Sequence, residues 1–421
     1  MGYTWVWWKN RQPLYVSIGG GTLTFSFAGK EAVSFDGEGR LVNAWLDHVT
    51  YRRALDNRIL AKQAQPGGYG RRKRWFLDTP RRRQVVRRAY ALAGRVAGGL
   101  ARNVLVPCNT PTPIVQTVNA WLKRVLTWTW ERLEQERERF YQVYKPIPIL
   151  PPDQYLAVVL QATEGCSYNR CTFCTFYRDR AFRIKGTEEF RNHVRAVTDF
   201  LGRGLEMRRS VFLADANAII IPQQRLIPLL EVVRESFPFR DQEHGPSTKH
   251  GWAPDGIYAF VSAPDALRKS EEDFRALRAL GLVRVYIGLE TGHDPLRAFL
   301  LKEGTAGDVL EAVRIIRQSG VQVGVICMVG IGGERYREAH FQDTITLLRR
   351  MPLGQGDVIY LSPFVPSPET PYVYDAAEAG ICPLSPEGLF AEVRRFQQAL
   401  RPWARRQGVI VSLYDIREFV Y

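Results

Sequence analysis

Cysteine is scarce in this chain, six in 421 residues, and three of the six crowd into positions 166 to 174. A disulfide framework spreads its cysteines along a small secreted chain, so this distribution argues against one and favours a metal. Long apolar runs are missing: none approaches the ~18 residues that span a bilayer. The start, Met1-Gly2-Tyr3-Thr4-Trp5-Val6, has no basic stretch leading into an apolar one, as a secretory leader would. It also lacks the hydroxyl residue at position six that a myristoylation signal wants. These absences point to a cytoplasmic protein that touches a membrane peripherally at most. No internal repeat at solenoid periods and no long low-complexity tract occurs.

What is present is an ordinary globular composition, 45% apolar, 12% aromatic and 24% charged. The length suffices for one large core plus an accessory domain. The net charge of +15 is unevenly placed. Residues 1–150 hold 25 Lys/Arg against 10 Asp/Glu, whereas residues 151–421 hold 33 of each. All the surplus belongs to the N-terminal third, which suggests two parts, one of them meeting something anionic.

The first 50 residues read as short strands, with Leu14–Ile18 and Thr22–Phe27 forming a hairpin around Gly19-Gly20-Gly21. Residues 52–102 are intensely basic, and Arg83–Leu105 and Trp121–Tyr144 read as helical. Pro146, Pro148, Pro151 and Pro152 mark a boundary. Beyond it, apolar strands at 156–161, 211–213, 257–261, 283–289, 321–329 and 358–361 alternate with helical stretches. Six such units in series imply a parallel sheet with right-handed crossovers. The expected fold class is α/β: a partial (β/α)6 TIM-like barrel over 151–365, after a basic, Trp/Arg-rich α+β domain at 1–150. A helix around Glu387–Trp403 and a strand near Val409–Leu413 form an extension over 366–421. In such a barrel the functional loops lie at the C-terminal strand ends. The cysteines, Asp215, Asn217, Ser262, Glu290 and Gly330–Gly333 all fall there.

The cysteine loop reads Gly165-Cys166-Ser167-Tyr168-Asn169-Arg170-Cys171-Thr172-Phe173-Cys174. Three thiolates so close can converge on one metal centre, and three protein ligands leave a coordination position open for chemistry. The loop resembles the cluster motif of the radical S-adenosylmethionine (SAM) superfamily, C-x3-C-x2-C with an aromatic before the last cysteine. Phe173 stands at the aromatic position, and the first spacer is longer by one residue. Phe212–Asn217, Tyr286–Gly292 and Met328–Glu334 resemble later strand ends of the branch containing Elp3-like and coproporphyrinogen-dehydrogenase-like enzymes. The resemblance covers roughly residues 150–365 in the right order.

The resemblance implies that Cys166, Cys171 and Cys174 ligate a [4Fe–4S] cluster whose free iron is chelated by SAM. It places Asp215 and Asn217 at the methionine amine, Ser262 at its carboxylate, Glu290 at the ribose or amine, and the backbone at Val329–Ile331 beside adenine. The implied reaction is reductive cleavage of SAM to a 5′-deoxyadenosyl radical that abstracts hydrogen from an unidentified substrate, with flavodoxin or ferredoxin as reductant. A zinc site completed by His193, or a non-enzymatic iron–sulfur or zinc-binding module, is the plainer alternative for the cysteines. Cys327 reads as a buried small residue. There is no second cysteine cluster for an auxiliary centre and no recognisable cobalamin-binding motif in residues 1–150. For Arg71–Arg74 and Arg81–Arg83 the readings are RNA or nucleotide phosphates, an anionic membrane approached for a lipid substrate, a lid for a phosphorylated small molecule, or a solvated face.

Overall fold

The computed structural model describes residues 2–9, 12–65, 72–239 and 253–421; Arg71 lies outside the described residues. The chain divides into two compact units. One comprises Met1–Ile147, Arg195–Arg209 and Arg417–Tyr421, and the other Pro148–Val194 and Ser210–Ile416.

The first unit is built on a nine-stranded antiparallel sheet. Its strands follow one another as a meander from Tyr3–Lys9 to Arg72–Phe76, with Val106–Pro107 paired on the far side of the first. Gln12–Gly19 and Thr22–Phe27 pair as expected around Gly20 and Gly21, both at positive φ, where glycine meets no steric penalty. Alternate residues, among them Val16, Leu23, Phe25, Val33 and Phe35, are buried on one face. They pack against the helices Thr79–Ala101 and Thr112–Val125 in a single core. The stretch 121–144 is two helices rather than one, because the chain leaves the helix before Thr129. That residue is extended, and its Oγ1 accepts the Arg132 N–H at 3.2 Å to start Trp130–Val143. Likewise the basic helix starts at Thr79, four residues earlier than its apolar pattern indicates, because the Asp78 carboxylate caps it. Arg40 is buried between Asp36 and Glu136 and donates to the carbonyls of Phe200 and Leu201.

The second unit is an open, wholly parallel sheet of seven strands, a partial barrel. In spatial and chain order these are Ala157–Gln161, Ser210–Ala214, Ile257–Phe260, Leu282–Glu290, Gln322–Val329, Val358–Pro363 and Ile410–Leu413. The first two are buried along their whole length, as strands covered on both faces must be. The six expected strands are present, and the strand of the C-terminal extension joins them as a seventh. Rings fill the interior in succession: Phe212, Phe260, Tyr286, Tyr360 and Tyr414 have neighbouring centroids 5.1, 6.0, 6.4 and 5.5 Å apart. Beneath them Asp153 accepts Tyr286 Oη at 2.5 Å, Tyr360 Oη at 2.7 Å and the Arg284 guanidinium at 2.7 Å. That network sits by the N-terminal strand ends, leaving the C-terminal ends for the cavity.

Candidate active site

The cysteine loop leaves the first strand of the parallel sheet and is held by backbone contacts. Gly165 has φ +78 and approaches Ala181 so closely that a Cβ would lie 3.0 Å from its carbonyl oxygen. The Thr172 N–H donates to the Leu300 carbonyl at 3.1 Å, and the Tyr372 N–H to the Thr172 carbonyl at 3.1 Å. Phe173 packs against the cluster of Leu296, Leu300, Ile331 and Tyr372. The rigid frame therefore fixes where the loop's thiols emerge.

Cys166, Cys171 and Cys174 are free and half-buried, and all three line one cavity of about 270 Å³ at the C-terminal strand ends. Burial pushes the Cys174 thiol up to about 11 and raises Cys171 as well, with Lys302 pulling the other way. Among the described residues no group of three or more His, Cys, Asp or Glu side chains already stands set to hold a metal ion. His193 does not complete a set with the cysteines: its Nε2 accepts the Gln161 N–H at 3.0 Å. Cys327 is fully buried in its strand, whereas Cys108 and Cys382 are exposed and line no part of this cavity.

The other expected residues divide into two groups. Phe173, Asn217, Ser262 and Glu290 line the same cavity as the thiols; Asp215 and Gly330 do not. Asp215 is buried behind the loop, where its carboxylate accepts Gln161 Nε2 at 2.7 Å and the Gly165 N–H at 3.1 Å. Burial pushes this carboxyl up to about 6 against those hydrogen bonds and the nearby Arg180. Gly330 has φ +87, a backbone conformation that favours glycine, and a Cβ there would also meet the end of the Leu389 side chain at 2.6 Å. Asn217 Nδ2 donates to Asp265 Oδ2 at 2.5 Å, and Ser262 Oγ donates to the same oxygen at 2.7 Å. Ser262 also caps the short helix Ala263–Ala266.

Sequence reasoning missed Lys302. Its Nζ lies 3.0 Å from Glu290 Oε1, a buried ion pair on the cavity wall. Burial pulls the Lys302 ammonium down, but Glu290 and then Cys171 carry it net above its ordinary value. Glu290 itself has φ +60, uncommon for a residue with a side chain. Gly288 makes the pair possible, since a Cβ there would fall 2.2 Å from Glu290 Oε1 and 2.9 Å from Lys302 Nζ. Arg297, also on the wall, donates to the carbonyls of Leu289, Glu303 and Gly304. The only signal for Lys302 was a charge just before Gly304 in a turn, which nothing in the pattern sets apart.

The basic segment is largely engaged within its own unit. Arg74 pairs with Glu418, Arg81 with Asp78, Arg82 with Glu134, and Arg83 with Glu131. Arg88 pairs with Glu31 and Asp47, and Arg95 with Glu31.

Residues 160–348 match the family described as the Radical SAM superfamily. Among solved structures, coproporphyrinogen III oxidase (HemN) from Escherichia coli is 13% identical at a TM-score of 0.41, covering 62% of this chain and 55% of that one. The Elp3 of the archaeon Methanocaldococcus infernus is 12% identical at 0.40, covering 61% and 56%. The cobalamin-dependent SAM radical enzyme OxsB, solved with aqua-cobalamin and SAM, is 16% identical at 0.36, covering 60% of this chain and 36% of its own length. The chain thus spans about a third of OxsB, and no curated protein matches it. The assignment rests on the family match and not on these distant likenesses. Through residues 160–348, a little under half of its length, the chain is thus similar to the radical SAM superfamily.

Proposed function

We propose that Cys166, Cys171 and Cys174 hold the [4Fe–4S] cluster and that SAM lies beside it in the same cavity. The observation that carries this reading is the opening of all three thiols onto one cavity at the C-terminal strand ends. The donor set fits the group: three cysteine thiolates would ligate three irons and leave the fourth open. When bound, the cluster supplies the electron that cleaves SAM reductively. The chain's own residues position and exclude. Asp215 holds the Gly165 N–H and so orders the loop just before Cys166. Asn217, Ser262 and the Glu290–Lys302 pair offer polar atoms to the amino-acid and ribose ends of SAM. Packed rings close the barrel below, which keeps water away from a reactive species. The reaction we infer is hydrogen abstraction from a substrate, with a flavodoxin- or ferredoxin-type reductant. For the N-terminal unit, pairing of its arginines with carboxylates supports a structural use over recognition of RNA or lipid phosphates.

Anaerobic reconstitution tests the reading. Wild-type protein should take up about four irons per chain and absorb as a thiolate-ligated cluster. Cys166→Ala, Cys171→Ala or Cys174→Ala should abolish this, and Cys327→Ala should keep it. One zinc per chain with no capacity for iron would defeat the proposal.

A further inference from the structure

The cavity is larger in chemistry than the cysteine loop, and its far wall is mainly apolar. Away from the thiols it is made largely by Ile149, Ile326, Phe364, Val365, Tyr414 and Ile416, with the uncharged Ser362, Ser367 and Thr370 beside them. Tyr414 and Ile416 come from the segment just after the seventh strand, and Phe364 and Val365 from the segment just after the sixth. The Tyr414 hydroxyl is turned out of the cavity, donating to the Leu150 carbonyl at 2.7 Å. The Tyr286 hydroxyl is likewise spent below on Asp153. What both tyrosines offer the cavity is ring.

Charge is confined to the opposite side. The charged side chains on the wall are Glu290, Arg297, Lys302 and Glu303, all from the fourth strand and the segment following it. Neither cation is at liberty among the described residues. Lys302 is paired with Glu290 at 3.0 Å, and the Arg297 guanidinium is shared among three backbone carbonyls. A phosphate or carboxylate entering the far side would lose its water and gain no counter-charge, which is costly. An uncharged apolar molecule entering there would lose only unfavourable hydration.

We infer that the substrate of this enzyme is an uncharged, predominantly apolar small molecule, seated against Ile326, Phe364, Val365 and Ile416. This rests on the cluster and SAM reading above for the reactive side of the cavity. It separates the chain from catalysis on nucleotides or other phosphorylated small molecules. It also gives the segment after the seventh strand a purpose, as part of the wall on which the substrate lies.

The test uses the full-length chain and the neutral fluorophore N-phenyl-1-naphthylamine. Saturable fluorescence enhancement with one site is expected, reversed by farnesol and unaffected by pyrophosphate. Val365→Glu and Ile416→Glu should each weaken fluorophore binding by at least about tenfold, by putting an unpaired charge on an apolar wall. Val365 is already 38% exposed, and Val365→Gln, with far-UV circular dichroism on every variant, keeps the test sound where a glutamate variant does not fold. Absence of saturable binding, displacement by pyrophosphate, or unchanged affinity in folded variants would each overturn the inference. Iron uptake is measured on the same preparations. Protein that loads iron and binds SAM but not the fluorophore loses only the apolar-substrate inference. Protein that binds the fluorophore at this wall but never loads iron loses the cluster reading, and the apolar site stands.

Discussion

At the scale of single residues, the Glu290–Lys302 pair is where sequence and packing meet most closely. The carboxylate sits in a left-handed backbone conformation and on a cavity wall, and the lysine reaches it across twelve positions of chain. Gly288 is required because any side chain there would occupy the space of both charged ends. Those ends belong to flexible side chains, so Gly288→Ala should leave the fold intact while displacing the pair. SAM affinity of the reconstituted enzyme should fall in Gly288→Ala and in Glu290→Gln, by roughly ten- to a hundredfold for the latter, given the strength of charged hydrogen bonds. Equilibrium dialysis with SAM reads this directly. Iron content should stay unchanged, since neither residue is a proposed ligand; an unaltered SAM affinity would remove the pair from the site.

At the scale of elements, the helix Arg337–Arg350 carries a titration that affects stability. His340, near its start, is 1% exposed, with Nδ1 against Thr291 Oγ1 at 2.7 Å and Nε2 without a hydrogen-bond partner. Burial, with His293 adding to it, pushes its pKa down to about 4 from 6.5. The folded state thus keeps the imidazole neutral while the unfolded chain protonates it. Stability from this site is complete above pH 6.5 and is lost as pH falls through 4, by roughly 3 kcal/mol in all. Urea unfolding of the wild type between pH 7 and pH 4 should show that loss, and His340→Gln should flatten it. The helix Ala306–Gln318 offers a simpler case. Thr305 and Asp308 form the reciprocal capping box expected from their spacing, and Thr305→Ala should cost about 1 kcal/mol.

At the scale of the whole molecule, part of the N-terminal charge is answered within its own unit. Carboxylates from distant parts of the chain pair with several arginines of the clusters near Trp75. Glu418 serves both Lys62 and Arg74 across more than 340 positions. Arg82 is buried, donating to the Asn57 carbonyl at 3.0 Å and Thr79 Oγ1 at 2.8 Å. Arg82→Gln should therefore destabilise the N-terminal unit by about 1–3 kcal/mol, whereas Arg72→Gln, on an exposed edge, should stay within about 0.5 kcal/mol. Chemical denaturation of the two variants separates a structural arginine from a solvated one. Equal effects would contradict the pairing. No helix among the described residues is long and apolar enough to cross a membrane.

The sequence by itself determined the period of the strands, the order of the βα units and the cysteine loop, because each is written in neighbouring residues. Apolar runs of strand length, a glycine turn or a Thr-x-x-Asp box act over a few positions and survive any arrangement of the rest. The tertiary structure alone decided which polar groups meet. Lys302 reaches Glu290, Asp215 turns behind the loop to hold Gly165, and the segment after the seventh strand lends Tyr414 to the cavity, each through contacts that no local pattern encodes. Such contacts depend on backbone direction and on glycines that open space, as Gly288 does. The thiols could be read as a site from their spacing, while the apolar wall facing them exists only once strands end on the same rim.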